Sequence, residues 1–211
     1  MSKTRGAVDA NYVRPGRYLA RVDRVEEGEN FKKEKFNVVN FTILMSEADP
    51  EAFDPEIVDA EGNEAPIDPN RVGETPSWLM MVNNVAFLSS WKGFVKVAGD
   101  VTDEQITAQA QAAKTDEDKV WEQTSMEICG HEQPVAGVVL ELIVRQILKK
   151  ESRGKPQDKL ARADYYHRTT FRRRVPGSEL KTALAADVLA KFYPGDMLDR
   201  IIAAEAATPA S

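Results

Sequence analysis

The sequence predicts a mainly β, α+β fold: five antiparallel strands, a helical insert between the third and fourth, and further helices at the C-terminal end. Three observations point there. Apolar and polar residues alternate in five separate stretches. Helical stripes and caps gather in residues 84–129 and again after 177. A hydrophobic fraction of 42% in 211 residues is ordinary globular composition, enough for a packed core.

The first strand follows the turn Pro15-Gly16 and spans Arg17 to Val25, with Tyr18, Ala20 and Val22 on one face and Arg17, Arg21 and Asp23 on the other. A polar turn containing Phe31, Lys32, Lys33 and Lys35 leads into the second strand, Phe36 to Met45. Its apolar face is Val39, Phe41, Ile43 and Met45, with Asn40 and Thr42 opposite, so the two strands form a long hairpin. Residues 46–76 then hold five prolines and ten acids and read as a long acidic loop, a feature that in compact domains is usually functional. Ser77 to Val82 is a short third strand.

The insert comes next. Asn83-Asn84 caps a helix whose stripe is Val85, Leu88, Trp91 and Val95. Thr102 and Gln105 form a capping box for a second helix to Ala113, and Asp116 to Ile128 is a third. The fourth strand, Val138 to Lys149, places Val138, Leu140, Leu142 and Val144 on one face, with Glu141, Arg145 and Lys149 on the other. A basic loop (150–162) precedes the fifth strand, Ala163 to Val175. Tyr165, Thr169, Phe171 and Val175 share its inner face, leaving Tyr166, Arg168, Thr170, Arg172 and Arg174 outside. Helices at Glu179 to Phe192 and Asp196 to Ala207 form an extension, 177–211, beyond a first domain of residues 1–176.

The net charge of −6, from 28 Lys+Arg against 34 Asp+Glu, argues on its face against a nucleic-acid partner. Divided along the chain it does not. Residues 46–75 sum to −9 and residues 100–132 to −7, while 144–175 sum to +8. The inner faces chosen above leave one outer sheet surface carrying Arg17, Arg21, Arg145, Lys149, Arg168, Arg172 and Arg174, with Tyr166 among them. Arginines two residues apart on a strand stand about 6.6 Å from one another, close to the phosphate repeat of an extended single strand. Cations neutralise phosphates, and aromatic rings stack on any base without reading it. The sequence therefore points to sequence-tolerant binding of single-stranded DNA. Phosphate contacts fall to those basic residues and Lys150, stacking to Tyr166, Trp78 and Phe31, and flanking contacts to Lys32, Lys33 and Lys35. The alternative is a non-enzymatic structural or adaptor protein whose acidic and basic segments dock complementary partners or further copies of the chain.

Catalytic signals are sparse. His131 and His167 are the only histidines, and Cys129 with His131 lacks a second pair of metal ligands. There is no phosphate-binding loop, no GxSxG and no HExxH. No enzyme, cofactor or metal is expected. The single cysteine excludes an intrachain disulfide and is consistent with a cytosolic setting, and no apolar run approaches the length of a membrane helix.

The strand order, interrupted by helices after the third strand, is that of a five-stranded OB-like antiparallel barrel. With PGRYLARV (Pro15 to Val22), the long second strand, WLMMV (Trp78 to Val82) and YYHRTTFRRRV (Tyr165 to Val175), the chain resembles phage-encoded single-stranded-DNA-binding proteins of OB type over residues 12–176. The resemblance implies a cofactor-free coating protein acting in replication, recombination or repair, in the host cytoplasm. Such proteins often recruit partner enzymes through an acidic C-terminal tip. Here the end reads AAEAATPAS, and the acids lie in 46–75 and 100–132, which become the expected surfaces for replication or recombination proteins.

Overall fold

The structure, a computed structural model, describes residues 12–58, 63–81 and 87–207. Among the described residues there are seven strands: β1 (Gly16–Glu29), β2 (Lys35–Glu47), β3 (Phe53–Val58), β4 (Glu64–Pro66), β5 (Ser77–Met81), β6 (Val139–Leu148) and β7 (Tyr165–Arg174). Five of them form an antiparallel sheet in the order β5-β2-β1-β6-β7, and β3 pairs with β4 in a separate hairpin. The helices are α1 (Phe87–Gly99), α2 (Asp103–Ala113) and α3 (Glu117–Cys129), then α4 (Gly177–Ala183), α5 (Ala186–Phe192) and α6 (Met197–Ala207).

The α+β class and the five-stranded antiparallel sheet stand as expected; the OB-like barrel is not confirmed, because the sheet does not close. No backbone pairing joins the two edge strands, β5 and β7, so the sheet is open. Among the described residues, side chains bridge that seam: the Trp78 and Phe171 rings meet edge to face with centroids 4.8 Å apart.

Each face of the sheet has its own core. On the first, Tyr18, Val22, Val39, Phe41, Leu140, Leu142 and Phe171 pack against Trp91, Phe94, Ile106 and Trp121 of the helical insert. On the second, Leu19, Leu44 and Val139 meet Val175, Leu180, Leu184, Val188 and Leu198 of the C-terminal helices. Bulges distribute residues between the two. Leu19 pairs with Met45 but Ala20 with Ile43, so Leu44 is the extra residue of β2. Met45 thereby joins the second core and not the face of Ile43.

Side-chain caps fix the starts of α2 and α3. Gln105 N donates to Thr102 Oγ1 at 3.2 Å and Thr102 N to Gln105 Oε1 at 2.8 Å, the expected capping box. Asp116 caps α3 through Lys119 N at 2.9 Å. The expected cap at Asn83-Asn84 lies outside the described residues. The single helix expected from Glu179 to Phe192 is two, interrupted by extended backbone at Leu184 and Ala185. The local sequence, rich in Ala and Leu, favours continuing; packing of Leu184 and Val188 on the sheet overrides it.

The acidic segment is not a bare loop. It contains β3 and β4, and its later part runs beside β2, where Phe41 N donates to Pro76 O and Ile43 N to Glu74 O, both at 3.0 Å. Asn70, fully buried, accepts from Arg14 N at 2.8 Å, while its own N–H donates to Tyr18 Oη at 3.1 Å. Proline and charge conceal these anchors from a periodicity reading, because long-range polar contacts hold them and alternation does not.

Candidate nucleic-acid interface

The exposed part of the second face lies where β6 and β7 extend past the start of β1. Gly16 pairs with Val144, so among the described residues β7 is the only strand paired with β6 from Arg145 onward. There Arg145 stands directly opposite Arg168, flanked by Ile143–Thr170 and Ile147–Tyr166 pairs. Ile143, Arg145, Ile147, Arg168, Thr170 and Arg172 line one shallow cavity of about 360 Å³. Like charges directly opposite in an antiparallel pair destabilise the sheet. No carboxylate forms an ion pair with Arg145, Arg168 or Arg172 among the described residues, so this cavity holds three uncompensated guanidiniums.

A bulge shapes the set. Leu142 pairs with Phe171 but Glu141 with Arg173, which makes Arg172 the extra residue. Arg172 and Arg173 therefore share the second face. The alternation expected from Tyr165 to Val175 is broken there: Val175 enters the second core, away from Phe171, and the register turns Arg174, opposite Leu140, to the first face. Arg174 is exposed but does not belong with Arg168 and Arg172, contrary to the single outer face expected.

The other candidates separate. Arg17 is bound to Glu141, with Nη2 2.7 Å from Oε1, and Arg173 holds the second oxygen of the same carboxylate, also at 2.7 Å. Burial of Glu141 opposes its ionisation, but the two guanidiniums outweigh that and hold the carboxyl below its ordinary value. Arg21 bonds Asp23 at 3.2 Å and lies over the Phe192 ring at 5.8 Å, beneath the C-terminal helices. Both arginines were expected on a free surface; the helices and Glu141 take up that part of the face. Trp78 offers no platform: it is buried, stacked on Trp91 with centroids 6.2 Å apart.

Tyr166 is 46% exposed, beside the arginine cavity. Lys149 Nζ donates to Ala163 O at 2.6 Å, pinning the β6–β7 connection, and Lys150 is exposed at its start. Phe31, 91% exposed, and Lys32, Lys33 and Lys35 sit at the tip of the β1–β2 hairpin. That tip is at the far end of the 14-residue β1 from Arg145, ~45 Å away along an extended strand at about 3.3 Å per residue. The fourteen candidates thus form an arginine cavity with Tyr166 and Lys150 beside it, a distant hairpin tip, and residues engaged elsewhere.

Thr170, expected on the outer face, lines the cavity together with Ile143 and Ile147, to which the sequence assigns no role in the site. Their alternation with Arg145 and Arg168 was the available signal, since small and branched side chains leave room between long cationic ones. No group of three or more potential metal ligands occurs among the described residues, nor any helix long and apolar enough to cross a membrane. Neither protein-family models nor curated sequences match the chain.

Proposed function

We propose that the chain binds single-stranded DNA without reading its sequence, as an OB-like protein serving replication, recombination or repair. The observation that supports this best is the Arg145–Arg168 pair, held face to face with Arg172 in one open cavity and no carboxylate between them. A sheet tolerates such repulsion when a polyanion relieves it. Tyr166 stands at hand for stacking, and the aliphatic floor of Ile143 and Ile147 gives sugar edges an apolar surface. The open order β5-β2-β1-β6-β7 is compatible with a partly open OB-like barrel.

The substitution Arg168→Thr tests binding and fold together. It should weaken binding of fluorescent oligo-dT about tenfold at low salt and flatten the dependence of affinity on salt by roughly one phosphate contact. The same change should raise the melting temperature slightly, because it removes a pair of like charges directly opposite one another. Unchanged affinity in a variant of raised stability would refute the proposal.

A further inference from the structure

The first face carries a groove of different chemistry. It runs between the β1–β2 hairpin and α3, encloses about 720 Å³, and has Phe36, Trp91, Trp121 and Met126 along it. Both tryptophans belong to the core beneath, whereas Met126 is 56% exposed, an apolar side chain left at the rim. Grooves lined by aromatic rings and methionine accept apolar anchors of varied shape.

The charge around this floor selects the occupant. Glu27 and Glu29 come from β1, Asp118 and Glu122 from α3, against Lys35 and Lys92. Lys92 is already spent: its Nζ lies 3.4 Å from Asp118 and 5.2 Å from the centre of the Trp121 ring. That internal contact shows the chemistry the groove favours, an ammonium held between an indole face and a carboxylate. Glu27 and Glu122 have no ion pair among the described residues. A polyanion would be repelled here, so the groove is separate from the arginine cavity and its occupant does not depend on the nucleic-acid reading.

We infer that this groove docks a short cationic peptide segment of a partner protein. An aliphatic or aromatic anchor would lie against Phe36, Trp121 and Met126, and flanking Lys or Arg side chains would meet Glu27 and Glu122. Helix α3 supplies the rigid wall and the β1–β2 hairpin the opposite one.

The tryptophans provide the readout. The full-length protein is titrated with the acetylated, amidated peptide Lys-Arg-Leu-Phe-Arg-Lys, following intrinsic fluorescence. Two controls accompany it: Lys-Arg-Gly-Ser-Arg-Lys, without an anchor, and Glu-Glu-Leu-Phe-Glu-Glu, with the charge reversed. Only the first should saturate, and the double variant Glu27→Lys/Glu122→Lys should weaken it about tenfold. Met126→Ala should weaken it while leaving the circular dichroism spectrum unchanged. Equal binding of the three peptides, or a charge-reversed variant that binds as the parent does, overturns the inference. Self-association of the protein that the same double variant abolishes would assign the groove to a second copy and overturn it too. Binding of oligo-dT by the double variant separates this outcome from a failure of the arginine cavity.

Discussion

Glu141 shows how one residue divides the basic strands into structural and free charge. Its carboxylate, on a buried side chain, binds Arg17 and Arg173, and Arg173 continues to Glu179 on α4. Those two arginines therefore hold the sheet and the C-terminal helices together, while Arg145, Arg168 and Arg172 have no such anchor. Because the folded carboxyl titrates below its ordinary value of 4.5, its contribution to stability is complete above that pH and is lost as the pH falls through the folded value. Thermal unfolding followed from about pH 6 to about pH 3 should show that loss. In Glu141→Gln the loss over this range should be smaller, and stability near pH 6 lower by about 1–3 kcal/mol, since two guanidiniums lose their acceptor. A pH profile identical to the parent's would remove Glu141 from this role. The lone thiol, Cys129, is pushed up to about 12 by burial, with Glu27 adding to it, so it stays protonated near neutrality, packed against the first core.

Among the elements, the β3–β4 hairpin stands out because it brings acids to the edge of the basic region. Phe53 N donates to Gln146 Oε1 at 3.0 Å, and Gln146 Nε2 returns a bond to Phe53 O at 2.9 Å, fastening the hairpin to β6. Arg162 then clasps Asp54, with Nε 2.9 Å from both carboxylate oxygens, and Glu56 lies 3.5 Å off. The hairpin neutralises one cation of the β6–β7 loop and places negative charge close to Tyr165 and Tyr166. Asp54→Asn should release Arg162 and raise affinity for oligo-dT roughly twofold to fivefold at low salt, an advantage that shrinks as salt screens it. Titration at two salt concentrations reads both effects, and an unchanged affinity would mean that the hairpin does not compete with the ligand. Most of this element was hidden in the sequence. Across residues 46–76 five prolines and ten acids suppress the alternation by which strands are recognised, and the anchors of that segment, at Phe53 and Asn70, work through partners distant along the chain.

At the scale of the whole molecule, one sheet is shared by two cores, and this should make unfolding a single event. Phe94→Ala in the first core and Leu180→Ala in the second should each cost about 2–5 kcal/mol. In both variants, tryptophan fluorescence, which reports the first face, and amide exchange in α4 to α6, which reports the second, should give one coincident transition. Separate melting of the C-terminal helices would show that the extension is an independent unit. By itself the sequence determined the α+β class, all five strands of the main sheet to within a few residues, the capping box at Thr102 and the segregation of charge. These arise from neighbours in the chain: alternation of period two, side chains that cap their own helix, and local composition. Only the tertiary structure decided which arginines stay free. Bulges at Leu44 and Arg172 reversed the facing of the neighbouring strand residues, helices from the far end covered the part of the supposed outer surface around Arg21, and Glu141 claimed Arg17 and Arg173. Each depends on pairing register or on contacts between distant segments, where a shift of one residue exchanges the two faces of a strand.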